Sequence, residues 1–410
     1  MRLPPWLPLV LAVGSACGGP AGGAGGDDGG SGSGGSSSGA SSEAGQASSS
    51  GSGSSSGSAS TGSGSTGSST ASSSGSPSSS SSSSGSSTSS SSSGSAGSSG
   101  SSGDSGTDGS GSGSGSLGGS PDGGGPAGKR VIYYDQTQYD QGTYVSLAPL
   151  WNTLDPNTNK PYVTDVMIAA FHLGMMSDST LIHLNNNAPS DPMFTTLWQE
   201  TAMLQSRGVT VRLMLGGAGK GSYANALFAD WNTFYPAVKQ TLTTYKFDGI
   251  DLDIEEPVAL AQVQQLIDQL SADFGPSFVI TLAPVASALV GGKNLSGFDY
   301  RQLEQSPEGA KVAWYNTQFY SMLGSLATTA NYDSVTSAGF SPKKIVAGML
   351  TNPANGTGYV DVNTVANTVT QLAQAYPGFA GVDAWEYFDA NPGGSAHPEQ
   401  WAALMANAMR

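Results

Sequence analysis

Between residues 129 and 410 the chain repeats one arrangement: a short apolar run of strand length, then a stretch with helical spacing, then another run. Eight runs stand out: Arg130–Tyr134, Asp165–Phe171, Thr210–Leu215, Gly249–Ile254, Phe278–Ala283, Val312–Tyr320, Lys344–Leu350 and Gly381–Phe388. Helical patterns at Phe194–Arg207, Ala224–Tyr245, Pro257–Phe274 and Val362–Tyr376 separate several of them. Strands alternating with helices predict parallel pairing, because a parallel neighbour needs a crossover long enough to hold a helix. Eight such units, in a length near the ~250 residues typical of the architecture, predict an α/β fold, a (β/α)8 TIM barrel, over an open doubly wound sheet.

What precedes the runs has a different composition. Residues 1–17 carry one positive charge, Arg2, an apolar stretch from Leu3 to Val13, and small residues up to Cys17. The apolar stretch is too short to span a bilayer and predicts an export signal. Cys17 is the only cysteine and follows Gly-Ser-Ala, a setting that resembles a bacterial lipoprotein cleavage site, with Gly14 where such sites usually carry leucine. The expectation is an exported protein, lipid-anchored through Cys17 at the cell surface or otherwise secreted, with no disulfides. Residues 18–128 are Ser, Gly, Thr and Ala with almost nothing to bury, which predicts a disordered linker, either a plain tether or a glycosylated stalk. The domain expected at 129–410 keeps the acidic excess of the whole chain, whose net charge is −15. Acidity argues against nucleic acid and an anionic membrane surface as partners and suits a neutral substrate. The expected membrane contact is the anchor alone, and the domain is expected to act as a monomer.

The fourth run ends in the densest chemistry of the sequence, Asp248-Gly249-Ile250-Asp251-Leu252-Asp253-Ile254-Glu255. At the two-residue period of a strand, Ile250, Leu252 and Ile254 face one way and Asp251, Asp253 and Glu255 the other. Acids spaced about 6.6 Å apart on one face repel one another, so proton sharing and a raised pKa are expected. A carboxyl with a raised pKa is what a general acid needs near neutral pH. A wet acidic strand face and a calcium or magnesium site are the competing readings, although Gly249 precedes the acids, whereas in a calcium loop the glycine follows them.

In a barrel of this kind the chemistry lies where strands pass into loops, which is where Glu255 falls. The sixth run closes on Gln318-Phe319-Tyr320 and the eighth on Trp385. Amide and phenol supply hydrogen bonds, and an indole offers a flat face to the C–H side of a sugar ring. Tyr133 and Gln136, at the end of the first run, are further candidates for binding. Other chemistries are poorly supplied: the three histidines show no HExxH or paired metal spacing, and no GxSxG elbow occurs. No metal and no cofactor are expected. The glycine-rich Met214–Ser222 follows a run but matches neither phosphate-binding pattern, so it reads as a tight strand-to-loop turn.

The octapeptide resembles the DxxDxDxE signature of glycoside hydrolase family 18, the chitinases and their relatives. Its fungal and actinobacterial branch is similar along the rest of the domain, at Leu215–Ala218, Thr281–Ala286, Asn294–Tyr300, Trp314–Tyr320, Leu350–Gly356 and Trp385–Phe388. The resemblance implies a barrel that hydrolyses β-1,4 links between N-acetylglucosamine units with retention, the substrate's own acetamide serving as nucleophile. It implies Glu255 as general acid and Asp253 orienting the acetamide N–H. Asp251 would hold or share the proton of Asp253, Tyr320 would donate to the acetamide oxygen, Trp385 would floor the distorted sugar, and Gln318 would be a ligand. The partner it implies is an N-acetylglucosamine oligo- or polysaccharide. An endo-β-N-acetylglucosaminidase acting on N-glycans shares these residues, and a non-catalytic, lectin-like barrel shares the fold. The sequence departs from the family where SxGG reads Met214-Leu215-Gly216-Gly217, and where Ser321 follows Gln-Phe-Tyr in place of Asn or Asp. Asp383 shares strand parity with Trp385 and would add an acid to the interior.

Overall fold

The computed structural model describes residues 129–174 and 179–410. The export signal, Cys17 and the linker expected above lie outside the described residues. Each of the eight runs is a strand: β1 Arg130–Asp135, β2 Asp165–Leu173, β3 Thr210–Gly216, β4 Gly249–Asp253, β5 Val279–Leu282, β6 Val312–Gln318, β7 Ile345–Leu350 and β8 Gly381–Trp385. Each pairs in parallel with its neighbour in sequence, and β1 pairs with both β2 and β8. The sheet therefore closes on itself as a TIM barrel, which leaves no parallel edge exposed. A short strand, Ile182–Leu184, adds to β2 in antiparallel fashion at the barrel rim.

Strand alternation divides the core in two. Outward residues such as Val131, Tyr133, Val211, Leu213, Ile250, Leu252, Ile280 and Val382 join the buried layer beneath the helices. Fully burying one such aliphatic side chain contributes about 1.5–3 kcal/mol. Inward, Ile132, Tyr134, Met167, Ala169, Met214, Trp314 and Val346 form a separate apolar cluster. Inward positions on β3, β4, β6 and β8 carry Arg212, Asp251, Asp253, Asn316, Gln318 and Asp383, all buried. The interior is thus apolar at mid-height and polar towards both ends.

Two helix expectations are corrected. The pattern over Ala224–Tyr245 is broken into a π-helical turn at Ser222–Leu227 and an α-helix at Trp231–Thr244. Asp230 divides them, because its carboxylate accepts from the Thr233 N–H at 3.2 Å and caps a new helix. Pro257 does not sit in a first helical turn. The chain stays non-helical until Leu260, with the Val258 N–H given to the Ser296 carbonyl at 2.9 Å, and the helix then runs to Phe274.

Candidate active site

β4 aims its acids into the barrel because Ile250 and Leu252 are committed to the outer core. Asp251 lies deepest and is fully buried. It accepts from the Tyr134 hydroxyl at 2.7 Å, the Thr281 hydroxyl at 2.5 Å and the Asn316 amide at 3.0 Å. Burial raises its pKa, while these three donors and the charge of Arg212 pull it back part of the way. Asp253, two residues nearer the mouth, is held well above the ordinary carboxyl range, first by burial and then by the charges of Glu255, Asp251 and Asp383.

Glu255 follows the end of β4 and is half-buried at the C-terminal mouth of the barrel. The Gln318 amide joins the two acids: its Nε2 lies 3.2 Å from Asp253 Oδ1, 3.3 Å from Glu255 Oε1 and 2.9 Å from the Ala283 carbonyl. Burial raises the Glu255 pKa; the bond from Gln318 and the charge of Lys220 temper that rise without cancelling it. The two carboxyls therefore titrate as a pair.

Tyr320, just beyond β6, has its pKa raised well above the usual phenol value, first by burial and then by Asp383, Asp253, Glu255 and Asp251. It stays a hydroxyl donor among acids. Asp383 is buried on β8, its Oδ2 has no hydrogen-bond partner among the described residues, and burial with the charge of Asp251 holds its pKa well above the ordinary carboxyl range. Trp385, half-buried at the end of β8, tilts against Tyr134 with ring centroids 5.5 Å apart. Farther along the rim, Asp135 is pushed up to about 8 by burial and by Glu386, and Glu386 to about 7 by burial. Glu386 accepts from the backbone N–H of Thr137 at 2.8 Å and of Gln136 at 3.2 Å, tying the ends of β1 and β8 together.

The glycine-rich segment after β3 closes over the end of β4. Gly216 has φ +97°, and a Cβ there would stand 2.2 Å from the Asp253 carbonyl oxygen, so no larger residue fits. The Gly217 N–H donates to that same carbonyl at 2.9 Å. At the far end of the loop, Glu256 accepts from the N–H groups of Gly221 at 3.0 Å and Tyr223 at 2.8 Å. A Cβ at Gly219 would come within 2.9 Å of the His172 ring. The turn is tight as expected, and it also carries exposed Lys220 to the acids.

The structure thus brings Asp251, Asp253, Glu255, Gln318, Tyr320 and Trp385 to one end of the barrel. It corrects Tyr133, which points the other way. Its hydroxyl donates to the Pro398 carbonyl at 2.5 Å and its ring packs on Tyr387 and Trp401 in the outer core. Strand parity makes Tyr134 the inward neighbour. Gln136 meets the rim through its backbone, accepting from Asn185 Nδ2 at 2.9 Å. Tyr134, Thr281, Asn316 and Lys220 also belong to the site and carry no motif of their own in the sequence; parity from Asp251 across neighbouring strands is the signal available for the first three. Among the described residues, no three His, Cys, Asp or Glu side chains are grouped to hold a metal ion.

Comparison with known proteins gives consistent findings. The family model described as Glycosyl hydrolases family 18 matches residues 129–359. A fungal endo-β-N-acetylglucosaminidase of that family, solved at 1.3 Å, is similar with 39% identity and a TM-score of 0.63, covering 68% of this chain and 98% of that one. The chitinase ChiC from Aspergillus fumigatus is similar with 42% identity and a TM-score of 0.60, covering 69% of this chain and all of that one. A chitinase from Enterococcus faecalis is 28% identical over 60% of this chain and 75% of its own length. The match to chitinase 2 of Rhizopus oligosporus, at 32% identity, spans 46% of this chain and only 36% of that relative.

Proposed function

The chain belongs to glycosyl hydrolases family 18, and from that premise we propose that it cleaves β-1,4 links between N-acetylglucosamine units with Glu255 as the general acid. The observation that carries this reading is the Gln318 amide within reach of both Asp253 and Glu255 at the mouth of the barrel. It supports a site in which one proton is shared between two carboxyls and delivered from the outer one.

In the proposed reaction the substrate's acetamide oxygen bonds to the anomeric carbon as the glycosidic C–O bond breaks. The Glu255 proton passes to the departing oxygen. Asp253 accepts the acetamide N–H, whose positive character grows as the oxazolinium ring forms, and Tyr320 donates to the acetamide oxygen and holds it towards the anomeric carbon. Water then opens the oxazolinium ring, with Glu255 taking the proton back. Asp251 stands behind Asp253, its oxygens met by the Tyr134, Thr281 and Asn316 donors, and holds or shares the proton of Asp253. Trp385 offers its indole as the floor for the sugar ring.

The similarity to a fungal endo-β-N-acetylglucosaminidase favours a second reading, release of N-glycans between the two core N-acetylglucosamines, because the same acids serve both cleavages. The test is the full chain on chromogenic chitobiose and chitotriose glycosides and on a high-mannose glycopeptide. Turnover of the chito-oligosaccharides establishes chitinase-type action, and turnover of the glycopeptide alone moves the assignment to N-glycans. Binding without turnover of either would replace the enzyme with a lectin-like barrel. We propose further that the protein is exported and held through Cys17; in the native cell, Cys17→Ser should release it from the membrane fraction.

A further inference from the structure

Every group that β4, β6 and β8 aim at the barrel mouth near Glu255 is an acid or a neutral donor: Asp251 and Asp253 on β4, Gln318 and Tyr320 at the end of β6, and Asp383 on β8. Tyr300, from the helical turn Tyr300–Glu304, adds a phenol whose pKa is raised in part by Asp253 and Glu255. Burial raises the Glu255 pKa and the Gln318 amide offsets part of that rise, while a useful acid needs a pKa near the working pH. Among the described residues, the one charge that adds to the offset comes from the loop after β3.

That loop is held at both ends by the residues that flank Glu255. Gly217 N–H is fixed on the Asp253 carbonyl at 2.9 Å, and Gly221 N–H on the Glu256 carboxylate at 3.0 Å. From beneath, the His172 ring packs on Gly219, where a Cβ would come within 2.9 Å of it. Burial and the nearby His183 hold the His172 pKa down, so it brings no competing positive charge. Only three residues separate the two backbone anchors, and the loop cannot carry Lys220 far from β4. The lysine is exposed, yet its charge acts on Glu255.

We propose that Lys220 is a positioning residue for the reaction: its ammonium, carried on the clamped Gly217–Gly221 loop, sets how readily Glu255 releases its proton to the leaving group. The proposal rests on Glu255 being the general acid. It assigns the glycine-rich loop a second task beside the tight turn, namely to bring one cation to a mouth otherwise furnished with acids.

The test is the pH dependence of kcat for the full chain on a neutral chromogenic chitotriose glycoside, with Lys220→Met, Lys220→Arg and Glu255→Gln measured together. In Lys220→Met the alkaline limb should move to higher pH by about half a unit at low ionic strength, because the lost cation no longer favours the carboxylate. kcat at the optimum should fall a few-fold, with KM nearly unchanged. Lys220→Arg should restore the wild-type limb, and in about 0.5 M salt the wild-type limb should drift towards that of Lys220→Met as the charge is screened. An unmoved limb in Lys220→Met, or a change in KM alone, overturns the proposal while Glu255→Gln remains inactive. Activity surviving in Glu255→Gln would instead remove the acid itself, and the proposal with it.

Discussion

The two ends of the barrel interior hold the same side chain in opposite condition. At the N-terminal end Asp165 is buried between Arg130 and Arg212; Arg130 Nη1 lies 3.3 Å away, and the hydroxyls of Thr164 and Thr210 each donate at 2.5 Å. Burial alone would raise its pKa, but the two guanidiniums and the hydroxyls outweigh burial and hold it well below the usual carboxylate range. The arginines are themselves stacked on Trp314, Arg130 with its Cζ 3.6 Å from the ring centroid and Arg212 at 4.8 Å. At the C-terminal end Asp253 and Asp383 meet no such cation among the described residues, and burial with the charges of neighbouring acids, Asp251 for both, pushes each up. A carboxyl buried with matched charge serves the fold, and one buried without it stores a proton for chemistry.

The two ends are also linked. Trp314, under the arginines, donates through Nε1 to Asn316 Oδ1 at 2.8 Å, and Asn316 donates on to Asp251 at 3.0 Å. Asp251 is therefore the point of transition. It is raised by burial like the mouth acids but eased by Arg212 from below.

The contrast can be broken at its strongest point by Glu255→Gln. Turnover should fall by roughly 10²–10⁴-fold, the usual contribution of a general acid, while the urea midpoint stays where it was. A large loss of stability would show that the mouth acids serve the fold after all. Next in size, Asp165→Ala leaves two buried guanidiniums without their counter-charge and should cost about 3–5 kcal/mol in urea unfolding. The pH at which the remaining activity peaks should hardly move; a change below 1 kcal/mol would erase the difference between the ends.

A smaller effect sharpens the comparison through pH. Asp135 and Glu386, raised to about 8 and about 7, bind more protons folded than unfolded. Their contribution to stability is complete below the ordinary carboxyl pKa of ~4 and is lost as pH rises through 7 to 8. Asp165 has the opposite sign: its contribution is present above ~4 and is lost as pH falls below that. The melting temperature should accordingly be higher at pH 5.5 than at pH 8.5, and Asp135→Asn should flatten that slope. A melting temperature that climbs over the same interval would contradict the assignment. Smallest is Trp385→Ala, expected to weaken chito-oligosaccharide binding by about tenfold in calorimetry, within the range of one aromatic contact. Unchanged affinity would return Trp385 to the core.

Much of this was legible in the sequence, for identifiable reasons. The strands were visible because each is an apolar run set off by turns and helices, and the acids of β4 because they alternate with aliphatic residues. The outward turn of Tyr133 is not legible, because Arg130–Tyr134 is buried on both faces, as barrel strands are, and such a run carries no alternation to say which tyrosine turns inward. The partners of Asp251 come from β1, β5 and β6, and those of Asp165 from β1 and β3. Side chains so far apart in sequence meet only through the register of the closed sheet. Lys220 was hidden differently: the glycines around it read as a turn, and the turn's anchoring to Asp253 and Glu256 is a matter of backbone N–H groups that no side-chain pattern reveals.

The account is tested most directly by following individual carboxyl ¹³C resonances against pH in the labelled full chain, with Glu255→Gln, Asp253→Asn and Asp165→Asn used to assign them. The signals lost in the first two variants should titrate together and above the ordinary ~4, and the signal lost in the third should remain ionised to well below it. If the Asp253 and Glu255 signals instead titrate independently near 4, the mouth holds no shared proton, and the proposed acid loses its basis.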